Sequence, residues 1–166
     1  MKKLWLMIVA TIVFSGCSAR QTMETISDSM DIPVAASLHQ LEITLPSEAS
    51  IPTLLSEDGA RLYECEDYTL CVQTLESGDL DRTLRRITGF TKDGLTVMTT
   101  QSDGLKRHSC VWSAAGEGGD HVGRAVVLDD GNYHYTVSVM AEFSKAGNLS
   151  DKWKELFDSV NLTSTD

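Results

Sequence analysis

The segment from Asn132 to Phe143 alternates between apolar and polar residues more strictly than any other part of the chain. Successive side chains of a β-strand point to opposite faces, so a period of two predicts a strand with an apolar and a polar face. The apolar set is Tyr133, Tyr135, Val137, Val139, Ala141 and Phe143, and the polar set is Asn132, His134, Thr136, Ser138 and Met140. A lone strand cannot bury its apolar face, so this segment requires a sheet.

Turn signals place further strands before this one. The turn Asp129-Asp130-Gly131 pairs it with residues 121–128, and Asp103-Gly104, a strong two-residue hairpin signal, joins residues 95–102 to residues 105–114. Shorter alternating segments occur at residues 41–45, 61–65 and 68–72. Because tight turns join antiparallel neighbours, the predicted sheet is antiparallel.

A helix is predicted in the middle of the chain. Asp79 is a suitable N-cap, and Leu80, Leu84 and Ile87 recur at the spacing of one helical face. Gly89 follows at the position where glycine commonly ends a helix. A short amphipathic helix of this kind needs a sheet face to cover.

A second helix is predicted near the end of the chain, with Ser150 as its N-cap. Its apolar stripe consists of Trp153, Leu156, Phe157 and Val160. Together these elements predict an α+β fold, in which a twisted antiparallel β-sheet has a mid-chain helix and a C-terminal helix packed on it. The expected single domain spans residues 39–163.

The start of the chain has the three parts of an export signal. Met1-Lys2-Lys3 is positive, and the apolar run of residues 4–14 is shorter than the about 20 residues of a transmembrane helix. The sequence Phe14-Ser15-Gly16-Cys17 then resembles the lipobox of bacterial lipoproteins, with Phe14 where Leu is more usual. The resemblance implies cleavage before Cys17. An ordinary secretory signal with an incidental cysteine and a single membrane-spanning anchor are the alternatives.

The lipobox resemblance also implies a location. It implies a diacylglycerol on the Cys17 thiol, commonly with a further acyl chain on its amine, and two or three chains hold a protein firmly on a membrane. Residues 1–16 are then a signal peptide, and residues 17–38 an acylated cysteine and a flexible tether. The domain is expected outside the cytoplasm, on the cell membrane or the outer membrane. Ser18 permits outer-membrane sorting, and no other cofactor is expected.

The negative net charge of the chain limits the classes of partner that it can bind. The 166 residues carry a net charge of −10, and removing Lys2 and Lys3 with the signal peptide makes it −12. Such a surface repels the phosphates of nucleic acids and of anionic lipid head groups. The expected partners are therefore the membrane, through the lipid anchor, and an unidentified envelope protein or small molecule, but no nucleic acid.

Three cysteines remain once Cys17 carries lipid. Cys65 and Cys71 flank a predicted turn, so a disulfide between them is sterically conceivable, and a bridge from either one to Cys110 is equally open. All three could also be free and buried, as unpaired cysteines often are.

The order of elements from the mid-chain helix onward resembles the PsbP/DcrB/Mog1-like domain. The resemblance rests on long hairpins, a tyrosine-rich last strand and a closing helix that runs through Leu156-Phe157-Asp158-Ser159-Val160-Asn161-Leu162. Val160 stands where that family commonly has Phe. Over residues 39–163 the resemblance implies an accessory or binding role and no shared catalytic residues.

No convergent chemistry is evident in the rest of the sequence. His108, Cys110 and Trp112 share one face of a strand, but none of the Cys or His residues has the spacing of a zinc motif. There is no Gly-x-Ser-x-Gly nucleophile motif. The glycine-rich segment 116–123 joins two strands, unlike a phosphate loop, and residues 129–132 are better explained as a turn than as a calcium loop.

These observations predict a membrane-anchored extracytoplasmic lipoprotein that acts as a non-catalytic accessory or binding module. No catalytic residue, resident metal or enzyme activity is expected. The alternative is a metal- or redox-responsive lipoprotein that uses Cys65, Cys71, Cys110 and a nearby histidine.

Overall fold

An antiparallel sheet is the central element of the fold. The computed structural model describes residues 39–49, 51–57, 59–116 and 119–164. In these residues the strands are β1 (His39–Glu42), β2 (Leu54–Leu55), β3 (Arg61–Glu64), β4 (Thr69–Glu76), β5 (Thr96–Ser102), β6 (Leu105–Gly116), β7 (Gly119–Asp129), β8 (Tyr133–Glu142) and β9 (Asn161–Ser164). Seven of them form a sheet in the order β2-β3-β4-β8-β7-β6-β5, and every neighbouring pair is antiparallel. Strands β1 and β9 form a separate antiparallel pair.

The described helices are few and short. They are α1 (Leu80–Thr88), α2 (Phe143–Ala146) and α3 (Ser150–Asp158), accompanied by two single 3₁₀ turns. Helix α1 begins after Asp79, whose side chain accepts a hydrogen bond from the backbone N–H of Asp81, and it ends at Gly89 in the left-handed conformation. The prediction of an α+β fold, mostly antiparallel sheet with a few helices, is confirmed.

The hairpin between β5 and β6 shows how local sequence sets the register. Asp103 and Gly104 both have positive φ, at 51° and 84°, as a type I′ turn requires. Ser102 and Leu105 therefore face each other, and the pairing continues to Thr96 opposite Val111. The two-residue turn predicted here is confirmed.

The larger hydrophobic core, called the first core, joins one face of the sheet to α3. Leu70 pairs with Val139 and Val72 pairs with Val137, and all four side chains are buried. They belong to one cluster with Trp153, Leu156 and Phe157 of α3. Trp153 is 1% exposed, so its burial anchors the helix.

A smaller cluster, called the second core, consists of Leu84, Cys110, Trp112, Ala125 and Val127. On β7 its members alternate with Val126 and Leu128 of the first core, so the two clusters occupy opposite faces of the sheet. Strand β8 is consequently buried on both faces. His134 and Thr136, from its polar set, are each 1% exposed.

Three details near the C-terminus differ from the sequence-based expectation. Phe143, placed in the apolar set of the last strand, is 67% exposed and begins α2. Ser150 is the first residue of α3 rather than its cap, because α2 leads almost directly into α3 and Leu149 occupies the cap position. Val160 lies beyond the end of the helix but is still buried.

Arg107 connects β6 to the C-terminal end of α3. Its Nη1 donates to the Val160 carbonyl at 3.0 Å and its Nη2 to the Phe157 carbonyl at 2.6 Å. Phe157 lies in the last turn of α3 and Val160 just beyond it, at the helix end where a cation is favourable. One guanidinium therefore holds the helix end on the sheet.

Replacing Arg107 with methionine should lower the free energy of unfolding by about 2 kcal/mol, because two charge-assisted hydrogen bonds are lost. Urea unfolding followed by circular dichroism measures the change. The matched control is Arg85→Met: Arg85 is exposed on α1 and forms an i,i+4 ion pair with Asp81, so a loss below about 0.5 kcal/mol is expected. Equal losses would show that Arg107 does not hold α3.

Candidate functional site

A group of polar side chains, three of which are buried, lies on the sheet face that α1 covers. This histidine cluster consists of His108, His134, Asp129, Thr83 and Thr99. Asp129 lies directly opposite His134 across β7 and β8, and Thr99 opposite His108 across β5 and β6. The two histidines are 6% and 1% exposed, and Thr83 of α1 is 5% exposed. Register and helix packing thus bring together residues from five elements.

Each histidine of the cluster is held by a threonine hydroxyl. Thr83 Oγ1 lies 2.7 Å from His134 Nδ1, and Thr99 Oγ1 lies 2.8 Å from His108 Nδ1. His134 Nε2 lies 3.8 Å from an Asp129 carboxylate oxygen, too far for a hydrogen bond. These contacts fix both rings in place and tie α1 to β8.

Burial lowers the pKa of both histidines. For His108 the Asp129 carboxylate opposes this effect, while His134 and the nearby lysines reinforce it. For His134 the carboxylates of Asp129 and Asp130 oppose burial, but they do not reverse it. Both rings are therefore neutral at pH 7, and neither carries the extra proton that a general acid would donate.

The cysteines named in the sequence analysis do not converge. The described chain holds Cys65, Cys71 and Cys110 as free thiols. Cys65 packs against the first core, whereas Cys71 lies opposite Ser138 and Cys110 belongs to the second core. On this register Cys65 and Cys71 face opposite sides of the sheet, so the disulfide left open between them is not formed.

The environment of each thiol disfavours the thiolate. Burial raises the pKa of Cys65 and Cys71, and it raises that of Cys110 to about 11. Since the thiolate is the nucleophile and the metal ligand, these cysteines have low reactivity at neutral pH. Within residues 39–164, wherever the structure gives positions, no three His, Cys, Asp or Glu side chains are grouped closely enough to hold a metal ion.

The purified chain should therefore contain Cys65, Cys71 and Cys110 as thiols. Alkylation in denaturant without reductant, followed by peptide mass spectrometry, should label all three. Labelling of native protein should be slowest at Cys110, which is 4% exposed. A Cys65–Cys71 cross-linked peptide would contradict this arrangement of the β3–β4 hairpin.

The other segments singled out by sequence have structural roles. Asp130 Oδ1 accepts hydrogen bonds from the backbone N–H groups of Asn132 and Tyr133, at 2.8 and 2.7 Å, as expected of a turn. In the glycine-rich segment, Gly116 lies opposite Gly119 in the β6–β7 ladder, and His121 Nδ1 lies 3.0 Å from the Gly119 carbonyl oxygen. Phe14, Ser15, Gly16 and Cys17 lie outside the described residues.

A second polar feature beneath α3 was not expected from the sequence. The Tyr68 hydroxyl and Trp153 Nε1 are buried without a hydrogen-bond partner among the described residues, and their rings lie 6.2 Å apart, edge to face. Lys152 Nζ lies 5.9 Å from the Tyr68 ring and the Arg124 guanidinium 5.7 Å from the Trp153 ring. The alternating spacing of Tyr68 and the helical spacing of Trp153 predict that both are core residues. Neither pattern predicts that a cation lies over each ring.

The chain is similar in fold to a solved structure of low sequence identity. No protein-family model and no curated protein matches the sequence. Among solved structures, the fold is similar to LpqN, described as involved in cell envelope biogenesis of Mycobacterium tuberculosis. That alignment covers 75% of this chain and 84% of LpqN, with 14% identity and a TM-score of 0.48. These values do not establish a shared family or function, and the PsbP/DcrB/Mog1-like resemblance stays a prediction.

None of the described helices is both long enough and apolar enough to span a bilayer.

Proposed function

We propose that the chain is a lipoprotein anchored outside the cytoplasm by acylated Cys17, and that its domain is a non-catalytic accessory or binding module. The observation that carries this proposal is Phe14-Ser15-Gly16-Cys17, which closes an apolar segment of signal-peptide length behind two lysines. The anchor leaves residues 18–38 as a link to the domain.

The chemistry of the described domain supports a role in binding rather than in catalysis. The two buried imidazoles are held by threonine hydroxyls, and burial favours their neutral form. A catalytic base must also reach its substrate, and these two rings are only 6% and 1% exposed. The buried groups of this domain are arranged to stabilise the fold.

The acidity of the chain is consistent with a domain that extends away from its membrane. With a net charge of −12 after processing, the domain is repelled by anionic lipid head groups, while the anchor holds Cys17 at the membrane. The linker of about twenty residues could reach about 70 Å if fully extended. Such an arrangement presents the domain to an envelope protein or a small ligand rather than to lipid.

Replacing Cys17 with alanine tests the anchor. The variant should move from the membrane fraction to the soluble extracytoplasmic fraction or accumulate as the unprocessed precursor, whereas the original chain stays with membranes until detergent is added. Immunoblots of fractionated cells measure the distribution. Cys71→Ala is the matched control and should fractionate like the original chain. Membrane retention and unchanged processing in Cys17→Ala would contradict lipid anchoring.

A further inference from the structure

Strand β5 is the long edge of the sheet. All seven of its residues, Thr96–Ser102, pair with β6 on one side. On its other side, no backbone hydrogen bond joins β5 to any residue that the structure describes. A row of unpaired N–H and C=O groups of this length, about 23 Å, is a template for another strand.

The usual protections of an edge strand are missing from β5. Proteins normally protect such edges with charged residues, proline, bulges or a very short strand. The sequence Thr-Val-Met-Thr-Thr-Gln-Ser has neither charge nor proline, and three of its residues are threonines, which favour strands. The opposite edge of the same sheet, β2, contains only Leu54 and Leu55 and is protected by its shortness.

An apolar patch adjoins the same edge. Met98 is 65% exposed and Val111 of β6 is 51% exposed. Met98 lies opposite Ser109 and Val111 opposite Thr96, so the two side chains are diagonal neighbours on one face of the sheet. The edge therefore combines unpaired backbone with exposed apolar surface.

We infer that β5 pairs antiparallel with β5 of a second copy, which joins two seven-stranded sheets across a two-fold axis. Charge favours a second copy as the occupant. Two processed chains of net charge −12 repel each other, and an uncharged strand is where they can meet with the least repulsion. The strand is also self-complementary, because pairing centred on Thr99 places threonine opposite threonine and brings the two Met98 side chains together.

Light scattering of the purified full chain in mild detergent, corrected for the micelle, tests this dimer. The expected mass is that of two chains, falling to one on dilution. Met98→Lys places two ammonium groups beside the axis and should weaken dimerisation by about tenfold or more. Ser113→Lys adds the same charge at an exposed position of β6 away from the edge and should leave the dimer intact. Circular dichroism establishes that both variants fold.

Single cysteines placed in turn along Thr96–Ser102 test the register. Disulfide cross-linking of two copies should be most efficient at Thr99, which lies opposite itself in this pairing, and should fall off at both ends of the strand. A monomer at all concentrations would overturn the inference, as would a dimer that Met98→Lys leaves unchanged. Cross-links from β5 to a separate peptide or to residues 18–38 would assign the edge to another occupant and would also overturn it.

Discussion

Replacing Gly123 with alanine is expected to lower the free energy of unfolding by about 3 kcal/mol, the upper part of the range for overpacked cores. A Cβ at this position would lie 2.2 Å from Trp112 Cζ2 and 2.4 Å from Cε2. Gly123 pairs with Trp112 across β6 and β7, so the indole lies over the glycine backbone. Trp112 is 7% exposed and belongs to the second core, which limits its freedom to move aside.

Urea unfolding of Gly123→Ala can be compared with that of Gly147→Ala. Gly147 has φ of −59°, and an added Cβ there meets nothing within 4 Å. Alanine at that position should stabilise the protein by about 0.5 kcal/mol, because it restricts the unfolded chain. Combining Gly123→Ala with Trp112→Leu should cost less than the sum of the single changes, since the clash disappears. Additive losses would show that Trp112 does not pack on Gly123.

The second large effect is a loss of stability in mild acid. Burial lowers the pKa of His108 and His134 below the ordinary value of 6.5. Below about pH 6.5 the unfolded chain therefore binds more protons than the folded chain, so stability falls as the pH falls. At pH 5 the loss is at most about 2 kcal/mol for each histidine, and the carboxylates of Asp129 and Asp130 reduce it.

Unfolding free energies between pH 8 and pH 5 measure this effect. His134→Gln should be less stable at pH 8, because the contact with Thr83 changes, but should lose less stability on acidification than the original chain. His121→Gln is the control and should leave the profile unchanged, since His121 lies beside Gly116 and Gly119 near the end of the sheet, apart from the two buried rings. A steeper or unchanged profile in His134→Gln would contradict the role given to this buried imidazole.

A further loss is expected at lower pH from Asp130. Burial alone would raise the pKa of this carboxyl, but hydrogen bonds from the backbone of Tyr133 and Asn132 and from the side chains of His39 and Tyr135 lower it overall. The stability that Asp130 contributes is present above the ordinary pKa of aspartate and is lost as the pH falls below that value. On acidification, the loss of stability from the two histidines therefore occurs at a higher pH than the loss from Asp130.

Local signals in the sequence predicted much of the fold. Asp103-Gly104, the cap at Asp79 and the stop at Gly89 each act within a few residues, and the structure places a turn or a helix end at all three. The pairing of β1 with β9 brings together residues more than a hundred positions apart, and no local pattern indicates it. Topology of this kind depends on tertiary packing, and the hydrophobic periodicity of a sequence does not indicate which distant strands will pair.

The histidine cluster could not be recognised for a related reason. His134 and Thr136 occupy the polar positions of an alternating strand, the pattern of a solvent-facing side. They are buried because α1 covers that face, and Thr83 of α1 supplies the partner of His134. The sequence predicted the helix but not which strands lie beneath it. It therefore could not predict the contact between Thr83 and His134, which are 51 residues apart.

The central claim is that Cys17 becomes the acylated first residue of the mature protein. Mass spectrometry of the N-terminal peptide from membrane-extracted protein tests it most directly. The predicted peptide begins at Cys17 and carries a diacylglycerol, with or without an additional acyl chain on its amine. A mature protein that begins at another residue, or that contains Cys17 with an unmodified thiol, would contradict the account.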